Sequence, residues 1–385
     1  MAFQNISIPS IRPGVSFFPS PAETCDWLGL PSSPRQIIKM MAEVTNSRNT
    51  LPSDKTLDNL KTKKGVRWST MRPFIWTVIR ELYGKIGLSF VRQFPLPKQD
   101  IHKLDIGFFW KPIAPSIQHG LSSSGNTLDI SLFTKFIEHR TTDYQEQFEF
   151  FKRHYNNPSI LNENPSVFIE KDIVHTLLTS TEQAHLLNAL QTNRFDEESI
   201  ELLSLYKNDF WLSLMAVVDN IITKHAIQEY EDNGVDYPFA KSGLLVAILA
   251  QTEKTYLGKF YAFLKVTLEE TYQELSQYVP IPYSENLDTV QEKIDRLKEW
   301  RSGKTKPSTK TLLEYFENMG QFMLSAYAVL MKAIDIQVRG QDGDFHKAAY
   351  TSANYARYFD HFKEKMSSPA YFGDCERLFR FIPNT

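Results

Sequence analysis

The sequence predicts an all-α protein, a large multi-helix bundle with a pocket between its helices. Three observations predict it. Apolar residues recur every three or four positions over long stretches, proline and glycine breaks separate those stretches, and no run alternates long enough to make a sheet. The 385 residues are enough for one large helical domain or two average ones. With 42% hydrophobic and 23% charged residues, the composition is that of a soluble globular protein. A formal charge of −2 sets up no field for nucleic acid or an anionic membrane, so neither is expected as a partner. Cys25 and Cys375 are too few for a disulfide framework or a cysteine metal cluster. The N-terminus lacks the basic-then-apolar pattern of a signal peptide, and the expected setting is the reduced cytoplasm. The longest apolar run, Gly243 to Ala250, is far shorter than a membrane span.

Residues 1–34 contain six prolines and little periodicity. They read as an extended arm lying on a surface, and with the aromatic content they point to a homo-oligomer. A helical domain is expected over 35–366. It starts with a short helix from Pro34 to Val44 and a solvated stretch holding Lys61-Thr62-Lys63-Lys64. A helix from Thr70 to Phe90 follows, carrying Phe74, Ile75, Val78, Ile79 and Leu82. Residues 128–155 and 167–191 read as amphipathic helices. Ser199 to Tyr230 is strongly helical and stops at Asn233-Gly234. Ser242 to Tyr278 reads as another long helix, and 284–306 as a charged helix and linker. The tail, 367–385, is aromatic and irregular. The cluster Ser122-Ser123-Ser124-Gly125 reads as a loop, with an anion cradle as the alternative.

The unit 311–358 organises this expected bundle. Leu312, Phe316, Met319, Met323, Ala326, Leu330 and Ile334 form one stripe, so the spacing predicts a continuous helix from Thr311 to Val338, about 40 Å long. Thr311 and Glu314 form a candidate capping box. Arg339-Gly340-Gln341-Asp342-Gly343 then ends the helix, and a second helix carrying His346 begins near Phe345. Backbone N–H groups at such a turn favour an anion.

This turn behind a long helix resembles the C-terminal part of the haem dioxygenase superfamily, which holds the indoleamine and tryptophan 2,3-dioxygenases and the ring-rearranging enzyme of pyrrolnitrin biosynthesis. The likeness runs from Ala326-Tyr327-Ala328 to Gly343. Asp105-Ile106-Gly107-Phe108-Phe109 is similar to a segment of the pyrrolnitrin enzyme. The likeness covers about 50 of the 385 residues. It implies haem between helices, an indole-like or other aromatic small molecule above it, and oxygen insertion into an aromatic ring or its rearrangement. Arg339 would pair with a carboxylate or a haem propionate. Gln341 and Asp342 would face the substrate, and Gly340 and Gly343 would let the backbone approach it. In the tryptophan dioxygenases the long helix carries the proximal histidine. Here Tyr327 stands in that place, and the stretch 311–338 has no histidine. Three outcomes follow: Tyr327 ligates ferric haem as a phenolate, His346 ligates from a shifted register, or haem is lost and a non-catalytic binding or interaction protein remains.

Two further patterns carry chemistry. Asp172-x-x-His175 and Glu182-x-x-His185 each put a carboxylate and an imidazole on one helix face, as di-iron bundles do, against the simpler reading of a solvated face. Arg339 and His346, with six residues between them, have the spacing of the arginine–histidine pair of some helical ribonucleases. No Gly-x-Ser-x-Gly elbow and no nucleotide-binding loop is present.

Overall fold

The computed structural model describes residues 47–59, 66–86, 128–154, 165–281, 289–339 and 343–367, and single positions at 35, 38, 39 and 42. The proline-rich arm, Asp105–Phe109, Ser122–Gly125, the lysine run at 61–64, Gly340, Gln341, Asp342, both cysteines and 368–385 lie outside the described residues. Among the described residues there are helices and turns and no strand. None of the described helices is long and apolar enough to cross a membrane.

The chain divides into two compact units, one of residues 19–127 and one of 1–18 with 128–385, a boundary inside the 35–366 stretch. The smaller unit contains α1 (Asp54–Asp58) and α2 (Trp68–Ile86). Its core joins Ala42 and Leu57 to Met71, Phe74 and Val78, of which Phe74 and Val78 belong to the apolar face that the Thr70–Phe90 pattern predicts. Ser53 caps α1 by accepting the Thr56 amide, and Arg35 pairs with Asp54 and Asp58.

The larger unit is built on α6 (Glu197–Asp232), 36 residues long. Asp196 starts it with a capping box to Ser199. It ends as the Asn233-Gly234 signal predicts, with Gly234 at φ 71° and the Val235 amide donating back to the Tyr230 carbonyl. From Leu202 to Ile221 it is buried almost all round, which makes it a core helix rather than a one-faced one. Around it lie α3 (Ser131–His154), α5 (Ser180–Thr192), α13 (Gly343–Ala349) and α14 (Ser352–Ser367). The short α4 (Pro165–Asp172) leads into α5. A second layer packs α8 (Tyr256–Thr267) on α12 (Leu324–Gln337) and α10 (Thr289–Ser302).

The expected helix 311–338 is two helices. Ser308 caps α11 (Thr309–Asn318) by accepting the Thr311 amide at 3.0 Å, so the cap lies three residues before the expected one. Gly320, at φ 70°, then turns the chain, and the Gln321 amide donates to the Phe316 carbonyl. That closure satisfies the last carbonyls of α11 and separates it from α12. The expected helix 242–278 is three: α7 (Leu244–Leu249), α8, and α9 (Tyr272–Ser276). Thr255 and Thr271 cap the last two, the second in a capping box with Glu274, and local caps override a continuous apolar pattern. Likewise 167–191 breaks after a short 3₁₀ turn at Ile173–His175, and Thr179 caps α5.

Candidate functional site

Tyr327 sits on α12 with no solvent exposure. Its hydroxyl donates to Asp219 Oδ1 of α6 at 2.8 Å, and Tyr355 of α14 donates to Oδ2 at 2.9 Å. The amides of Leu244 and Leu245, the first of α7, donate to the same two oxygens at 3.2 and 3.1 Å. One buried carboxylate therefore ties four elements together and caps a neighbouring helix. Gly243 leads into α7 at φ 74°, and a Cβ there would lie 2.4 Å from Asp219 Oδ2 and 2.5 Å from the Phe359 ring. Only glycine allows this approach. Burial pushes the Asp219 pKa up, opposed by its four donors. Burial, then the charge of Asp219, pushes the Tyr327 and Tyr355 phenols well above their usual value. Tyr327 is a neutral donor locked to a carboxylate. A haem phenolate needs the opposite: a deprotonated oxygen with an open face. Tyr327 does not fit the axial role.

Asp335 of α12 repeats the device. It accepts the Tyr256 and Leu257 amides at 2.8 and 2.9 Å, which caps α8. Asp209 of α6 is a third such centre. It pairs with Arg140 of α3, takes the Tyr358 hydroxyl at 2.9 Å and receives the Leu177 amide at 3.3 Å. Arg140 also donates to Ser213 at 3.0 Å.

His346 belongs to a different network. Its Nδ1 lies 3.1 Å from Asn208 Oδ1. Asn208 Nδ2 donates to the Ser204 carbonyl at 2.8 Å, so the amide's oxygen must face the imidazole. His346 Nδ1 therefore carries the hydrogen, and in the neutral ring Nε2 keeps the lone pair. Ser204 in turn donates to the Phe345 carbonyl at 2.6 Å, which ties α13 to α6. Tyr350 Oη lies 3.0 Å from Asn208 Oδ1 and 2.5 Å from Gln337 Oε1. One hydroxyl hydrogen cannot serve both, and Gln337 Nε2 has no partner. Turning the Gln337 amide over lets Nε2 donate to Tyr350, whose own hydrogen then goes to Asn208.

The remaining predicted residues separate. Arg339 is exposed, with its guanidinium over Gly303 in the α10–α11 connection, where a Cβ would meet Nη2 at 2.0 Å. Arg339 and His346 thus serve different partners. Gly343 starts α13, and a Cβ there would lie 1.9 Å from the Val338 carbonyl, so Gly343 itself lies against the end of α12. Asp172 accepts from Tyr206 at 3.1 Å, and His175 faces Asp143 at 3.6 Å. Glu182 completes the cap of α5 and takes both guanidinium nitrogens of Arg357, while His185 lies 3.2 Å from Asp196. Among the described residues no group of three or more His, Cys, Asp or Glu is placed to hold a metal ion. Asp209, Asp219, Asp335, Asn208 and Tyr350 were not singled out by sequence. The available signal was a polar residue inside an apolar helical run, as in Val217-Val218-Asp219-Asn220-Ile221.

A titratable cluster lies where α14 meets α3. Burial, then the charges of Lys365 and Arg140, lowers the His361 pKa to about 4. His139 is lowered chiefly by burial and also by Lys365, Arg140 and His175, with Asp143 pulling the other way. Both histidines bind a proton more weakly folded than unfolded. Their stability contribution is present above the ordinary histidine pKa of about 6.5 and is lost as pH falls towards 4. The urea midpoint is expected to drop between pH 7 and 4.5, and to drop less in His361→Gln. A flat wild-type profile across that window would contradict the arrangement.

No family model matches the chain, and no curated protein and no solved structure matches it significantly.

Proposed function

We propose that this chain is a haem-dependent oxygenase-like protein acting on an indole-like or other aromatic small molecule, with His346 as the axial ligand. The observation that carries the reading is the tautomer of His346. Asn208 takes the Nδ1 hydrogen and is itself held by Ser204 and Tyr350, which fixes the tautomer and orientation of the imidazole in the way that the outer partner of a metal-ligating histidine does. Haem held there would supply an iron centre for oxygen activation. The protein's own residues orient the ring, through Asn208, and fix α13 against α6, through Ser204 and the Phe345 carbonyl. The Phe345 ring meets the imidazole edge-on at 5.3 Å. Arg339, exposed at the start of the turn, is the group for a substrate carboxylate or a propionate, with Gly340, Gln341 and Asp342 beside it in sequence.

A second reading is a helical binding protein of the same architecture without haem. The observation that favours it is the Tyr327–Asp219 bond, which commits the residue at the family's ligand position to holding the bundle together. Absorbance spectra of protein made with haem precursor separate the two. A Soret band is expected in the wild type and in Tyr327→Phe, lost or shifted in His346→Ala. No band, with no haemin binding in titration, would overturn the oxygenase reading and leave the binding protein. A band lost in Tyr327→Phe and kept in His346→Ala would overturn the ligand assignment.

A further inference from the structure

We propose that Glu270, Tyr261, Tyr278 and Tyr315 form a binding site for a small alkylammonium cation, independent of the α12–α13 turn. The site is assembled from α8, the α8–α9 connection, the end of α9 and α11. Tyr315 is fully buried and sits among rings that stand across its own. Tyr261 lies at 5.7 Å and 86°, Tyr278 at 6.1 Å and 83°, and Trp300 of α10 at 6.1 Å and 71°. The Tyr315 hydroxyl is spent on the Leu275 carbonyl at 2.9 Å.

Two polar atoms in this cluster have nothing to bond. Glu270 Oε2 is buried without a hydrogen-bond partner, and so is the hydroxyl of Tyr261. Buried polar groups are otherwise paired almost without exception, so two orphans in one aromatic cluster need a missing partner. Both bear on the same ring: after burial, Tyr261 and Glu270 each push the Tyr315 phenol up. Glu269, just before Glu270, holds φ 55°, the left-handed region that a glutamate avoids. The strain lies in the connection that places this carboxylate.

The chemistry of the orphans selects the ligand. An ammonium group has donors only, and it can give one to Glu270 Oε2 and one to the Tyr261 oxygen. Its positive charge offsets the carboxylate, and its alkyl groups rest on the faces of electron-rich rings. Water would satisfy the bonds and leave the charge uncompensated. Tyr278 is half-buried, and its hydroxyl donates to Glu270 Oε1 through a long 3.4 Å bond. Asn318 Nδ2 donates to the Tyr278 carbonyl at 3.1 Å and so anchors its backbone.

Calorimetric titration of the full chain with methylammonium chloride tests the site, with sodium chloride at equal ionic strength as the blank. Saturable binding is expected in the wild type, about tenfold or more weaker in Glu270→Gln, which keeps the shape and removes the charge. Methylammonium should also raise the melting temperature of the wild type and not that of Glu270→Gln. Absence of saturable heat, or equal binding by Glu270→Gln, would overturn the proposal and leave a bridging water between the two groups. Should Glu270→Gln not fold, Tyr261→Phe and Tyr278→Phe carry the same comparison. Haem content plays no part in the readout, so failure here is distinct from failure of the oxygenase reading.

Discussion

Asp219→Ala is expected to cost the larger helical unit most of its stability. The substitution strands two tyrosine hydroxyls and two helix-starting amides in an interior without solvent. Each donor left without an acceptor costs about 1–3 kcal/mol. The four are not additive, and a loss of about 5 kcal/mol is a large part of the roughly 5–15 kcal/mol that folds a domain. Asp219→Asn should fall between. It keeps the volume and one acceptor oxygen, and it turns an amide NH₂ towards two donors. Urea denaturation followed by far-ultraviolet circular dichroism measures all three proteins. A midpoint for Asp219→Ala within experimental error of wild type would mean that α7 and the two tyrosines find other acceptors, and the network described above would be wrong. Gly243 makes the same point from the other side, since the space a Cβ would need is already taken by Asp219 and Phe359.

Arg140→Met is the second large effect. Arg140 and Asp209 are an almost dry pair joining α3 to α6. Removing one member of a buried pair costs about 3–5 kcal/mol, because the other charge stays buried without its counter-ion. Tyr358 and the Leu177 amide would still donate to Asp209, and neither neutralises it. The double variant Arg140→Met/Asp209→Leu should recover much of the loss, since an apolar pair carries no desolvation cost. Urea midpoints of the two single variants and the double close a thermodynamic cycle. Strict additivity would show that the two side chains do not act as a pair.

These networks explain why aromatic residues are so frequent. A packed core accounts for the phenylalanines. Many of the buried tyrosines do more, since Tyr206, Tyr327, Tyr355 and Tyr358 each bring a hydroxyl to an interior aspartate. A neutral phenol donates to a carboxylate without adding charge, which lets acidic groups stay inside the bundle as caps for other helices.

What the sequence determined by itself is local. The all-α class follows from the period of its apolar residues. The body of α6 follows from that period and its end from the Asn233-Gly234 stop, while its start lies two residues before the expected Ser199, at the Asp196 cap. The residues of the α2 face follow in the same way. Each is a property of a short window, fixed by backbone hydrogen bonding and by which side chains avoid water. The same windows contained the signals that divide the 242–278 and 311–338 stretches, at Thr255, Thr271 and Gly320, beneath an unbroken apolar stripe. Two consecutive helices can share one apolar face when they pack on the same neighbour, so the stripe alone cannot locate the break.

What only the tertiary structure decided is partnership. Tyr327 reads the same in sequence whether it binds iron or a carboxylate; its role depends on Asp219, 108 residues away. His346 acquires a defined tautomer only through Asn208, 138 residues away. Arg339 and His346 look like a pair by spacing, and the fold sends one to Gly303 and the other to α6. Asp172 and His175 separate in the same manner. The physical reason is that a buried polar side chain must find a complement wherever the fold brings one within about 3 Å, and that distance is set by helix packing rather than by separation along the chain.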